Sequence, residues 1–198
     1  DHIKSNLEQY LDAFELILTH HKELLDLNDK FKWCPAYGTY IDQPALCNKT
    51  KVCSMIASGK SSTELHKLRI RVLDTLKDTP FVDIYGRDIN PIDKKEEGLC
   101  DYMFSIAIEN DSYETYFTEK LLDCFATGTV PIYLGAPDIG NHFDENGIIK
   151  LTGTFDFNTL THELYESKSE SIKNNLEKVL ELEILDDWIY KTYLEKND

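Results

Sequence analysis

The feature that most limits the fold of this chain is a run of alternating elements between residues 51 and 151. Five short segments are dense in apolar residues: Lys51–Ser58, Phe81–Tyr85, Tyr102–Ile108, Val130–Leu134 and Ile148–Leu151. Each has the length of a strand, and they read as continuous apolar runs rather than as strands with one wet face. Between the first two, Leu65, Leu68, Val72 and Leu76 recur at helical spacing and predict an amphipathic helix over Glu64–Leu76. Leu121–Thr127 belongs to a second helix, with Gly128 placed to end it as the C′ residue. Pro131 stands at the start of its strand, where a missing N–H matters least. Strands buried on both faces and joined through helices form a parallel, doubly wound α/β sheet, because parallel neighbours need a crossover connection.

The flanks are less regular. Leu7, Tyr10, Leu11, Phe14 and Leu18 are close to helical spacing, but Phe14–Thr19 reads equally well as a strand after a short helix. His20–Leu25 reads as a short helix, and Phe31–Ile41 as an aromatic strand and loop. Two acidic helices are expected at about 158–182 and 184–195. The expected organisation is therefore a segment over residues 1–45, a Rossmann-like domain over 46–158, and C-terminal helices over 159–198 packed on it.

Charge narrows the partners. The 198 residues carry a formal net charge of −15, which repels nucleic acid and anionic membranes as bulk partners. No run approaches the length of a membrane span, and Asp1–Lys4 does not open a signal peptide. Cys34, Cys47, Cys53, Cys100 and Cys124 are odd in number and show no CxxC spacing, so reduced thiols are expected. A cytoplasmic or membrane-peripheral location follows from that expectation.

In doubly wound sheets ligands bind at the C-terminal strand edge, where helix N-termini receive anions. That rule selects two loops, 57–64 and 109–120. In the second, Thr118 suits the N-cap of the following helix and Glu119 its first turn. Lys120 runs against the helix dipole there, so it is either a ligand cation or a solvated side chain. No G-x-G-x-x-G follows a strand, which argues against a dinucleotide fold. Asp186-Asp187 reads as solvated on an acidic C-terminal helix, His20-His21 lacks ligand partners at metal spacing, and no Asp-x-Asp is present, so metal-independent donor binding is expected.

One ordered set of segments carries a family resemblance. Tyr102-Met103-Phe104-Ser105-Ile106-Ala107-Ile108-Glu109-Asn110 is followed by Tyr116-Phe117-Thr118-Glu119-Lys120-Leu121 and then by Gly128-Thr129-Val130-Pro131-Ile132-Tyr133-Leu134-Gly135. This resembles the C-terminal signature of the α-1,3-fucosyltransferases, glycosyltransferase family 10. Ser54–Ser58, Arg69 with Leu76, and Val82–Gly86 resemble upstream elements of the same family. Ile108 and Phe117 are apolar departures from the family pattern.

The resemblance implies the C-terminal, donor-binding half of a GT-B enzyme that transfers fucose from GDP-fucose to a sugar hydroxyl with inversion. It implies a nucleotide-sugar donor, a glycan acceptor and no separate cofactor. Arg69 and Lys120 are the implied cations for the diphosphate, a natural use of guanidinium and ammonium groups. Glu119 is implied to steady charge on the donor sugar or to hold its hydroxyls, and Asn110 and Tyr116 to line the donor pocket. Tyr116 also reads as a core aromatic, Arg69 as a solvated helix residue, and Glu109 as a partner for backbone groups at its strand end. The general base that the family uses is expected upstream of Asp1, with residues 1–45 as a remnant of the acceptor half. The alternative is a catalytically silent nucleotide-sugar binding module.

Overall fold

The computed structural model describes residue 7 and residues 10–77, 79–153 and 155–195. The start of the expected 1–45 segment thus lies partly outside the described residues. In chain order the elements are β1 (Ile17–Thr19), α1 (Lys22–Leu25), β2 (Phe31–Trp33), β3 (Lys51–Ile56), α2 (Glu64–Leu76) and β4 (Val82–Tyr85). Then follow β5 (Tyr102–Ile108), α3 (Glu119–Ala126), β6 (Val130–Leu134), β7 (Ile149–Lys150), α4 (His162–Glu166), α5 (Ser169–Glu181) and α6 (Leu185–Ile189).

The chain divides into two compact units, residues 1–36 with 184–198, and residues 37–183. These units cut the chain at places other than 45 and 158. In the smaller unit β1 pairs with β2 in parallel, Ile17 opposite Phe31. Aromatic contacts join the two chain segments of that unit: Trp33 meets Trp188 edge-on at 5.4 Å, and the Tyr193 hydroxyl donates to the Trp33 carbonyl at 2.6 Å. In the larger unit five parallel strands lie in the order β4-β3-β5-β6-β7.

Every residue of β5 is buried. The central strand reads as an unbroken apolar run because both of its faces are covered. Leu121, Phe125, Tyr133 and Phe143 share one core cluster, and Met55, Leu73, Phe104, Ile106 and Ile172 the other. Gly128 takes φ +69 after α3, as its C′ position requires. The long helix expected at 158–182 is broken instead. A 3-10 turn at Phe157–Thr159 precedes α4, and Ser167 Oγ donates to the Leu164 carbonyl at 2.7 Å between α4 and α5. A serine that competes for a helix carbonyl in this way favours a break.

Cys47 and Cys100 are disulfide-bonded, which corrects the expectation of reduced thiols for this pair. Cys34, Cys53 and Cys124 are free and buried. Spacing could not reveal the bridge, since strand pairing brings the two loops together: the N–H groups of Thr50 and Lys51 both donate to the Asp101 carbonyl.

Beside the bridge, Lys49 Nζ donates to the carbonyls of Thr127 at 2.8 Å and Cys100 at 3.1 Å and to Thr129 Oγ1 at 2.8 Å. Burial pushes its pKa down to about 7, against the opposing influence of Cys124 and Asp101. Above about pH 7, and up to the ordinary lysine value, the unfolded chain binds a proton that the folded chain releases. Stability should therefore rise with pH through that window, and the rise should flatten in Lys49→Met. Urea midpoints measured at both ends of the window check this; equal slopes in the two proteins overturn it.

Candidate functional site

The sheet order turns on β3, which pairs with β4 on one side and with β5 on the other. Chain progression reverses there, and the crevice outside the carboxyl ends of β3 and β5 is where such a sheet binds ligands. A cleft of about 540 Å³ opens at that place. Its walls come from the end of β3 (Ile56, Ala57, Ser58), from Arg69 on α2, from the 86–95 loop, and from Asn110, Glu119 and Lys120. Six cations line it, Lys60, Arg69, Arg87, Lys94, Lys95 and Lys120, against the two carboxylates Asp93 and Glu119. A chain of net charge −15 thus concentrates positive charge at one cleft, where low-dielectric walls strengthen its field.

Arg69 is 4% exposed, not solvated. Its Nη2 donates to the carbonyls of Ile108 at 2.6 Å and Glu109 at 3.0 Å, and to Asn110 Oδ1 at 3.1 Å. All of its protein hydrogen bonds among the described residues leave from this one nitrogen. Burial lowers the Arg69 pKa while Glu109 and Glu119 oppose the drop. The group stays cationic, as guanidinium does in proteins.

Asn110 is oriented from two sides. Thr63, the N-cap of α2, donates its N–H to His66 Nδ1 at 3.2 Å, so the ring proton sits on Nε2. Nε2 then donates to Asn110 Oδ1 at 2.9 Å, which also takes the Arg69 bond. The Asn110 amide nitrogen is thereby turned away from these donors, and the Asn110 side chain hydrogen-bonds Tyr116.

Glu109 is fully buried, its carboxylate accepting from Thr118 N at 2.8 Å and Thr118 Oγ1 at 2.7 Å. Burial raises its pKa, and Lys120 at 3.6 Å counters. Lys120 Nζ also bonds Glu119 Oε1 at 2.9 Å and Thr118 Oγ1 at 3.2 Å. Burial works against ionisation of Glu119, but the Lys120 charge and hydrogen bond outweigh it, and its pKa is lowered. Glu109 anchors the N-terminus of α3 through Thr118, its N-cap, rather than backbone groups at its own strand end. Gly135 lets this happen: a Cβ there would collide with the Tyr133 hydroxyl and with Glu109.

Arg69, Asn110, Glu119 and Lys120 therefore meet at one cleft. Tyr116 does not line it. It is 8% exposed, stacked on Tyr113 at 4.7 Å, and reaches the cleft through Asn110. The 86–95 loop is the part that sequence reasoning left out. The signal was available: this loop follows a parallel strand at Gly86 and carries Arg87, Lys94 and Lys95 in an acidic chain. Among the described residues no group of three His, Cys, Asp or Glu side chains is arranged to hold a metal ion.

Residues 46–182 match the family described as glycosyltransferase family 10 (fucosyltransferase) C-term. A 3-galactosyl-N-acetylglucosaminide 4-alpha-L-fucosyltransferase FUT3 from Pan troglodytes is 29% identical over 134 residues, 64% of this chain and 36% of that protein. An alpha-(1,3)-fucosyltransferase FucT from Helicobacter pylori is 32% identical over 60 residues, 30% of this chain and 13% of that one. The chain spans about a third of the length of the first of these relatives. A crystal structure of an alpha1,3-fucosyltransferase with GDP shares the fold at 19% identity and TM-score 0.56, over 87% of this chain and 71% of the other. The chain belongs to glycosyltransferase family 10.

Proposed function

We propose that this member of family 10 binds the donor in a fucosyl transfer, holding GDP-fucose or a related nucleotide-sugar in the cleft between β3 and β5. The observation that carries this is the cationic cleft at the switch point of the sheet. Arg69 and Lys120 hold the diphosphate and stabilise the negative charge that grows on it as the sugar departs. Glu119, kept ionised beside Lys120, steadies positive charge developing on the sugar. Asn110, fixed by His66 and Arg69, binds the donor, with Tyr116 behind it. Transfer proceeds with inversion to a glycan hydroxyl, and no residue of this chain is assigned as the base that deprotonates the acceptor. The paired Cys47 and Cys100 favour an oxidising compartment over the cytosol. No helix among the described residues is long and apolar enough to cross a membrane.

Calorimetric titration with GDP, GDP-fucose, UDP-glucose and NAD tests the donor assignment. Binding by the GDP compounds alone is expected; binding of UDP-glucose or NAD with none of GDP overturns it. Neutralisation by cationic side chains predicts that GDP affinity is unchanged by EDTA. A large gain on adding manganese contradicts that. The second reading is a nucleotide-sugar binding module without transfer. GDP-fucose binding with no transfer to a panel of galactosyl-N-acetylglucosamine acceptors favours that second reading.

A further inference from the structure

Asp123 lies on α3 and is 1% exposed, below the wall of the cleft. Its Oδ1 accepts from the Thr39 hydroxyl at 2.8 Å and from the Tyr40 N–H at 2.8 Å. Its Oδ2 is buried and has no hydrogen-bond partner among the described residues. The Lys95 ammonium stands 3.9 Å from it. Burial pushes the Asp123 carboxyl up, and its bonds to Tyr40 and Thr39 with the Lys95 charge oppose this. A buried carboxylate without a cation is strongly unfavourable, so Asp123 keeps an ammonium at this spot.

Lys95 has a second face. It lines the cleft with Arg69 and Lys120, and its side chain is 30% exposed. At 3.9 Å from Asp123 the ammonium is paired in charge but makes no hydrogen bond to the protein among the described residues. Its three N–H donors remain for a ligand. Without this lysine the Asp123 carboxylate would repel any anion in the cleft.

We infer that Lys95 is a third cation for the diphosphate of the donor, and that Asp123 is the residue that positions it. This rests on the donor-cleft assignment above and adds a recognition element from the loop that follows β4. Asp123 also ties the 39–40 segment to the same place through Oδ1, so that segment and the diphosphate site share one carboxylate.

The test is calorimetry on the whole chain with GDP, GMP and inorganic pyrophosphate. Lys95→Met keeps the stem and removes the charge. It should weaken GDP and pyrophosphate by about tenfold or more, the effect of losing one charged hydrogen bond, and GMP by less. Lys95→Arg should restore GDP binding. Asp123→Asn retains an acceptor for Thr39 and Tyr40 and should weaken GDP severalfold. The double variant should bind no worse than Lys95→Met alone, as expected for residues that act through one another. Unchanged GDP and pyrophosphate affinity in Lys95→Met overturns the inference and leaves Lys95 as a neutraliser of Asp123. A lower melting temperature in Asp123→Asn with wild-type GDP affinity overturns the positioning role. Loss of GDP binding in Lys120→Ala but not in Lys95→Met defeats this inference alone. A wild-type chain that binds neither GDP nor pyrophosphate removes the donor assignment and this inference together.

Discussion

Lys120→Ala should weaken GDP binding by about 1.5–3 kcal/mol, the usual worth of a hydrogen bond to a charged group, while the protein stays folded. The buried Glu109 carboxylate loses its ion pair at 3.6 Å in this variant, but it keeps both bonds from Thr118. A carboxyl already raised by burial can also take up a proton, which limits the loss of stability. Arg69→Ala should do more. It removes the cation, and it also strips Nη2 from two carbonyls at the end of β5 and from Asn110. Each buried acceptor left without a partner costs about 1–3 kcal/mol. The melting temperature should therefore fall together with GDP affinity. Calorimetry and thermal melts on the two variants separate the cases. If both bind GDP as the wild type does, Arg69 and Lys120 are not the donor cations.

Gly86→Ala is expected to destabilise the protein by about 1–3 kcal/mol, as forced overpacking does, and to weaken GDP binding with it. A Cβ at Gly86 would run into the carbonyl oxygen of Ala57. That oxygen belongs to backbone held in place by the Ala57 N–H to Tyr85 carbonyl bond at 2.9 Å, so neither side can yield cheaply. The collision falls where β3 and β4 enter the cleft. Gly59→Ala, in the neighbouring loop, is the matched comparison: nothing lies within 4 Å of its Cβ position. There the reduced freedom of the unfolded chain should dominate and stabilise by about 0.4–1 kcal/mol. Urea midpoints decide it; equal effects of the two substitutions overturn the assignment of Gly86 to a close backbone approach.

Local pattern made much of the site legible. Continuous apolar runs in 51–58, 102–108 and 130–134 needed helices on both faces, and a parallel sheet so covered puts its ligand loops at one edge. The loops at 57–64 and 109–120 follow from that rule, and residues of both line the cleft. The helix that bears Lys120 begins at Thr118, as the capping pattern indicated. The 86–95 loop is not among the two loops selected in this way, and only strand order places it beside β3. The pocket-lining place of Tyr116 is implied by the family resemblance alone, and a linear motif says nothing of which layer a ring occupies; here the ring stacks on Tyr113.

What the sequence determined by itself was set by periodicity and short-range chemistry. The element types, the parallel sheet, the N-cap at Thr118 and the C′ glycine at 128 all depend on residues a few positions apart. Family membership was legible for the same reason, since its signature is a set of contiguous segments. The tertiary structure alone decided the rest. It joined Cys47 to Cys100 across strand pairing, and it turned Arg69 from a helix-surface cation into a buried tie between α2 and the end of β5. It also set Lys95 over Asp123, 28 positions apart in sequence, and gathered six cations from two loops and two helices of a strongly acidic chain. Which face a side chain takes, and which distant group it then meets, depends on strand order and register, and these are fixed only when the whole sheet packs.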